Sequence, residues 1–390
     1  MKNSLQIKWA PFFALSFLIL ILQIPNSAAA QNPQKIDISG YYKNLFVTTE
    51  SMATKEGLYS DLNRLRLEFK ETTDPWQFYL TLDNEAIVND FANLSDFDLI
   101  RSKNQNDLAS WDLDKVSVDN DHLYLRHSIY RAYIKYNSAQ FQAVVGKQAI
   151  DWGKMRFYSP LDIFNPVGPI DLEPMERVGI DAINLNYSPE GFAGINTVIA
   201  PGESTEESSF GFRIYKTISP FDFSVVAASV RKDKIVGVSF DGSIKNAGVR
   251  GEITHTQRDD KKSFPRVAIG LDYNLTPKLY LLVEHFYNGG HEDNDPTSFN
   301  SSYRLARQLM SIKKNLTSTM LKYSLTPLID VSMTTIYDWD GKSIVVNPQI
   351  QYNISENTNF TVGWQSFFGK ADSEFGSYEH LLYAEFQWYF

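Results

Sequence analysis

Apolar and polar residues alternate along most of the chain after about residue 36. In 62–70, Leu65, Leu67 and Phe69 alternate with Arg64, Arg66, Glu68 and Lys70. In 76–85, Trp76, Phe78, Leu80 and Leu82 alternate with Gln77, Tyr79, Thr81, Asp83 and Glu85. The same period recurs in 266–273 and 346–354. It recurs again in the last segment, where Leu382, Ala384, Phe386, Trp388 and Phe390 share one face. A period of two predicts strands with one apolar and one polar face. Eighteen such segments can be drawn, from 36–48 to 379–390. Pro348 and the tight connection at 232–233 leave sixteen as the other count.

The connections sort by parity. One set is short and carries turn residues, such as Thr73-Asp74-Pro75, Ser188-Pro189-Glu190-Gly191, Ser219-Pro220, Thr276-Pro277-Lys278 and Thr326-Pro327. The alternate set is longer on average and more charged; it includes 49–59, 88–121, 150–179, 289–313 and 369–378. Helical turns are expected within 88–121 and at Tyr303 to Ile312. A soluble sandwich has no reason to sort connections in this way. A transmembrane antiparallel β-barrel does, with short turns on the periplasmic rim and long loops outside. The predicted class is therefore an all-β barrel of 16–18 strands, forming a single domain over 31–390.

One stretch breaks the alternation. Gly146 to Asp181 contains four prolines, six carboxylates and a dense set of apolar residues: Trp152, Phe157, Tyr158, Ile163 and Phe164. A structureless stretch of this length is uncommon and is usually functional or disordered. Its aromatics argue against disorder. In the barrel reading, 150–179 is the third extracellular loop, which by analogy with other outer-membrane barrels is expected to fold into the lumen.

The amino terminus carries Lys2 and Lys8, an apolar run from Trp9 to Leu22, and Ser27-Ala28-Ala29-Ala30. This order predicts a secretory signal peptide over 1–30, cut after Ala30. A membrane anchor is the weaker reading, because a spanning helix needs about 20 apolar residues. The chain has no cysteine, which excludes a disulfide scaffold, a thiolate metal site and a lipoprotein. It holds 37 basic and 46 acidic residues, a balance that disfavours a nucleic-acid partner. With 21 Tyr and 26 Phe and no long apolar run after the leader, the chain fits an outer-membrane barrel. The terminal Phe390 matches the aromatic ending by which barrel-assembly machinery recognises such proteins.

Gly146-Lys147-Gln148, Trp152-Gly153, Asn165-Pro166 and Arg177 with Gly179 and Asp181 together resemble a motif of a porin-like outer-membrane β-barrel family of Gram-negative bacteria. The segments after Tyr323 (YSLTPL, GWQSFFGKADSEFG and the last strand) are similar to the same group. The resemblance covers the two ends of the barrel and the third loop. It implies a channel or transport component in contact with outer-membrane lipid, and names no substrate. General porins are commonly trimers, so a homo-oligomer is left open.

The candidate constriction pairs an acidic loop with a basic wall. The loop and its flanks supply Asp151, Trp152, Lys154, Arg156, Asp162, Asn165, Asp171, Glu173, Glu176, Arg177 and Asp181. The wall supplies Arg64, Arg66, Lys70, Arg131 and Lys135. Opposed charges of this kind would hold the loop and set a transverse field; ordinary solvated charges are the bland alternative. No catalytic signature appears: the six histidines show no HExxH spacing, and GxSxG, Walker and dinucleotide motifs are absent. His285 with Asn288 is the nearest approach to an esterase pair. His291, Glu292, Asp293 and Asp295 read as an acidic loop rather than a metal site. No cofactor or metal is expected. The expected function is passive passage of small solutes through a lumen narrowed by 150–179. The alternatives are a structural or docking barrel for a secreted or redox partner, and a loop-presenting surface protein.

Overall fold

The computed structural model describes residues 36–390, apart from 53, 95, 103–110, 112, 174–175, 203, 259–261 and 292–310. The expected signal peptide, Pro174 and nearly all of Tyr303 to Ile312 lie outside the described residues.

The chain folds as a closed antiparallel barrel of 18 strands. In wall order these begin with β1 (Asp37–Glu50), β2 (Gly57–Thr73), β3 (Trp76–Asn89), β5 (Leu123–Asn137), β6 (Phe141–Gln148), β7 (Ile180–Tyr187), β8 (Ala193–Ala200), β9 (Ser209–Ile218) and β10 (Phe221–Val230). The wall continues through β11 (Asp233–Ile244), β12 (Ala247–Gln257), β13 (Phe264–Thr276), β14 (Leu279–Asn288), β15 (Asn315–Thr326), β16 (Ile329–Asp338), β17 (Ser343–Ser355), β18 (Thr358–Phe368) and β19 (Leu381–Tyr389). Closure comes from β1 pairing with β19, with Tyr41 opposite Tyr389 and Thr49 opposite Leu381. The backbones of Gly40 and Phe390 exchange two further hydrogen bonds at 3.0 Å. Closure thereby leaves the 18-strand wall without a terminal free edge.

Two features depart from the sequence reading. A short additional strand, β4 (Asp114–Asp119), lies within the connection expected to be loop. It pairs with β5 from Tyr124 to Ser128, beyond the part of β5 that β6 reaches, which runs from Ala132 to Asn137. Its charges and six-residue length hide it from a period-two search. The connection also contains the expected helical turn, α1 (Asp96–Ser102). Pro348 does not end β17. The ladder to β18 skips Asn347 and Pro348, between Val346–Ser366 and Gln349–Gly363, so the missing N–H is accommodated there. Nearby, Gly363 leaves the space that the Tyr383 ring fills, and the Tyr383 hydroxyl donates to Asn347 Oδ1 at 3.1 Å.

The outward face is apolar. Val225, Ile253, Ile269 and Leu271 are each more than half exposed, as a surface that meets lipid requires. The inward face is polar in its middle, with Arg64, Glu85, Glu252 and Glu284 all buried. Extra apolar packing on the inside forms three clusters, and two of them are completed by residues from 150–164.

Candidate functional site

The stretch between β6 and β7 leaves the wall after Gln148, two residues beyond Gly146, whose φ of 125° lies in the region that favours glycine. A side chain there would also strike the Ala132 carbonyl. The base of the stretch is closed by Asn165. Its Oδ1 accepts from Ile150 N at 2.7 Å, and its Nδ2 donates to the Val178 carbonyl. Asn165 is thus a shaping residue, buried at 2% exposure.

Apolar side chains anchor the first half. Trp152 lies edge-on to Phe164, with ring centroids 5.1 Å apart, and its Nε1 donates to Asn196 Oδ1 on β8 at 2.8 Å. With Ile150 and Leu161 these rings pack on Ile180, Ala182, Val198 and Val226. Farther along, Tyr158 stacks on Phe286 of β14 at 4.9 Å, and Met155 and Phe157 join Leu282, Leu316, Ile336 and Phe367. Each fully buried side chain of this size contributes roughly 1.5–3 kcal/mol.

Two wall carboxylates seize the main chain between these anchors. Glu252 of β12 accepts from the N–H groups of Lys154, Met155 (3.3 Å) and Leu161 (2.9 Å), and from the Ser159 hydroxyl at 2.9 Å. Glu284 of β14 accepts from Arg156 N at 2.9 Å and Phe157 N at 3.0 Å. Lys154 and Arg156 therefore bond here through their backbones. Sequence reading missed both glutamates, because nothing in a strand's own alternation says which inward carboxylate meets a distant loop. Here the wall is acidic and the loop presents donors, the reverse of the expected polarity.

The second half follows the expected polarity. Glu173 pairs with Arg64 of β2 at 2.7 Å and with Lys43 of β1 at 3.3 Å. Glu176 pairs with Arg66 at 2.8 Å and Arg64 at 3.6 Å, and accepts from the Tyr41 hydroxyl at 2.6 Å. The wall brings its own acids: Glu85 binds Arg64 at 2.6 Å and also Arg126, and Asp83 binds Arg66 at 2.5 Å. Burial opposes ionisation of Glu176, but Arg64 and Arg66 hold its carboxyl down to about 2. Arg66 also lies over the Tyr130 ring at 3.7 Å, and Arg131 over the same ring at 4.1 Å. A bulge opposite Thr81–Leu82 makes this possible by adding Tyr130 to β5.

Other candidates are placed apart from this cluster. Arg177 turns back within the loop to Asp162, to Asp151 at 3.4 Å and to the Asn165 carbonyl at 2.9 Å. Burial pushes the Asp162 carboxyl up to about 8, against the pull of Arg177. Arg131 binds main-chain carbonyls, of Tyr130 at 2.8 Å and of Arg177. Asp181, on β7, accepts from Trp111 N at 3.0 Å and so tethers the 88–121 connection instead. Gln365 of β18 donates to the Ile170 carbonyl at 3.0 Å. Segment 149–179 thus contacts inward residues of β1, β2, β5, β8, β12, β14 and β18.

Among the described residues no group of three or more His, Asp or Glu is placed to hold a metal; Glu292, Asp293 and Asp295 lie outside them. His285 and Asn288 do not meet. His285 bonds Thr317 Oγ1 at 3.0 Å, while Asn288 is fully buried and bound to Arg266 and the Ser311 carbonyl.

A closed barrel of 18 strands, apolar outside and charged within, defines a β-barrel of the outer-membrane porin type. Among solved structures the chain is similar to OccAB3 of Acinetobacter baumannii, with 10% identity, TM-score 0.57, and 91% of this chain and 99% of that one covered. It is also similar to the outer membrane protein opdK of Pseudomonas aeruginosa (7%, TM-score 0.57, 91% and 98% covered). OccK8 (OprE) of the same organism is a third relative in fold (7%, TM-score 0.55, 91% and 98% covered). At such identities the likeness is one of fold. No family model matches the chain, and no curated protein matches it.

Proposed function

We propose that the protein is an outer-membrane channel for passive passage of small solutes, narrowed by residues 150–179. The fold shared with outer-membrane porins supports the channel and its membrane location. One observation carries the constriction: a single connection is fastened to opposite parts of the wall. Glu252 and Glu284 hold its first half, and Arg64, Arg66 and Lys43 hold its second. Anchors on separated strands make a crossing that a solute must pass beside. In this reading residues 1–30 are removed on export, the short turns face the periplasm, and 150–179 is the third outward loop turned into the lumen.

The test is single-channel conductance in planar bilayers. Wild-type protein should show steady conductance, and deletion of 152–178 should raise it several-fold. A barrel that is silent until the deletion is made would instead favour a plugged or partner-dependent barrel. No conductance in either form would sink the channel.

A further inference from the structure

We propose that the outward rim of β10–β13, through Lys232, Lys234, His255 and Lys262, is a docking surface for the phosphorylated headgroup of an outer-leaflet lipid. The proposal rests on the orientation in the channel reading, which turns this rim toward the outer leaflet. It goes beyond that reading by giving the outside of the wall a ligand of its own.

The outer face of β11 sets the position. Ile244, Val238 and Val236 are exposed along it, and Ile235 on the other face is buried. The strand has 12 residues, close to one crossing of about 9–11 residues. Lys234, exposed on the same face near the strand's end, therefore stands where the apolar band gives way to headgroups. Register carries the row sideways. Lys234 lies opposite Gln257, Val236 opposite His255 and Val238 opposite Ile253. Lys234, His255 and Gln257 are thus exposed just above the exposed Val236 and Ile253. A lysine stem lies along apolar surface while its ammonium reaches phosphate level.

The rim is also low here. Only Arg231 and Lys232 join β10 to β11, and the flanking connections are 201–208 and 258–263. The longer connections, between β3 and β5 and between β14 and β15, leave other strands. Headgroups beside this part of the wall reach the lysines directly. Lys232 pairs with Glu206 at 2.8 Å, but both side chains are more than half exposed. Such a pair is weak, so a phosphate can replace the carboxylate. Lys234 and Lys262 make no ion pair among the described residues. Asp233, the acid between Lys232 and Lys234, is paired with Arg258 at 3.7 Å. Asp259 and Asp260 lie outside the described residues. Clustered lysines at a membrane surface attract anionic lipid.

The outer face of β1 and β2 is chemically different. There Asn44 donates to Asp61 and, at 3.2 Å, to Asn63, on the face that carries the exposed Phe46. A phosphate would meet a carboxylate at that place. The lipid is therefore held at β10–β13 and not at β1–β2.

The experiment incubates the detergent-solubilised full chain with diphosphoryl lipid A and reads retained lipid by native mass spectrometry, beside the same lipid with both phosphates removed. Wild type should bind the phosphorylated form at least about tenfold more tightly. Lys232→Gln with Lys234→Gln should weaken that binding at least about tenfold; both side chains are exposed, so the barrel folds without them. Lys245→Gln with Lys278→Gln, at turns on the other end of the wall, should leave binding unchanged. Equal retention of the two lipids overturns the proposal, as does wild-type retention in the K232Q/K234Q variant. An equal loss in the K245Q/K278Q variant reduces the effect to net charge and overturns the surface. Inorganic phosphate bound as tightly as the lipid overturns the lipid as occupant. Retention in detergent needs neither conductance nor orientation, so a silent barrel that retains lipid counts only against the channel. A conducting barrel that does not retain it counts only against this proposal.

Discussion

Glu252 and Glu284 show how much one inward residue can organise. Five main-chain N–H groups and one hydroxyl converge on these two carboxylates. A buried donor left unmet costs about 1–3 kcal/mol. Glu252→Ala with Glu284→Ala should therefore free the turn at 154–161 while the wall still assembles. The expected result is a several-fold rise in conductance with unchanged β circular dichroism; unchanged conductance would remove the anchoring role. Glu374 behaves differently. It accepts from Ser311 Oγ at 3.1 Å and from Ile312 N and Lys313 N at 2.9 and 3.0 Å. Burial nonetheless pushes its carboxyl up to about 8. The native state then holds the proton more tightly than the unfolded chain, so this group's contribution to stability is lost as pH rises from the ordinary carboxylate range through about 8. Glu176, held down to about 2, acts with the opposite sign: its contribution is present above the ordinary range and is lost as pH falls toward 2. Thermal midpoints in detergent should fall on both sides of mildly acidic pH. Glu374→Gln should flatten the alkaline limb and Glu176→Gln the acid limb.

At the scale of elements, the segment between β6 and β7 behaves as a folded unit rather than a tether. Asn165 joins its two ends, Trp152 and Phe164 fill one side, and Tyr158 fills another. Replacing Asn165 with Ala removes both bonds at the base. Limited proteolysis within 150–179 should then become several-fold faster, with the strands still protected; equal rates would mean the apolar anchors suffice alone. The strand, turn and parity pattern was legible beforehand because each hairpin records its own period and its own turn residues. β4 was not, since six residues with charges at both ends carry no readable period. The bulge at Tyr130 was equally hidden, and it decides that Arg66 and Arg131 both lie over the Tyr130 ring.

Over the whole molecule, the barrel separates two environments by one alternation. Ile253 faces outward and is half exposed, and Glu252 beside it lies within. Ile253→Arg should cost about 2–4 kcal/mol if it sits near the bilayer midplane, falling toward zero at an interface. Equilibrium unfolding in lipid vesicles measures this, and no loss would place the residue outside the hydrocarbon. The candidate charges divide in the same way between what local pattern reveals and what closure decides. Arg64, Arg66, Glu173 and Glu176 were visible as opposed charges, and closure brings them within 2.7–3.6 Å. Lys43, Asp83, Glu85, Glu252 and Glu284 complete the arrangement from strands whose inward residues carry no mark of their distant partners.

By itself, the sequence determined the strands, their inward and outward faces, the sorting of short and long connections, and the place where the pattern breaks. These follow from local geometry: a period of two, prolines and turn residues, and the need to keep apolar groups toward lipid. Only the tertiary structure decided what Gly146 to Asp181 touches. Its hydrogen-bond partners include Gln365, on a strand 195 residues from Ile170. Which inward carboxylate or guanidinium meets the segment depends on strand register, the bulge at Tyr130 and barrel closure. None of these is a local property of the chain.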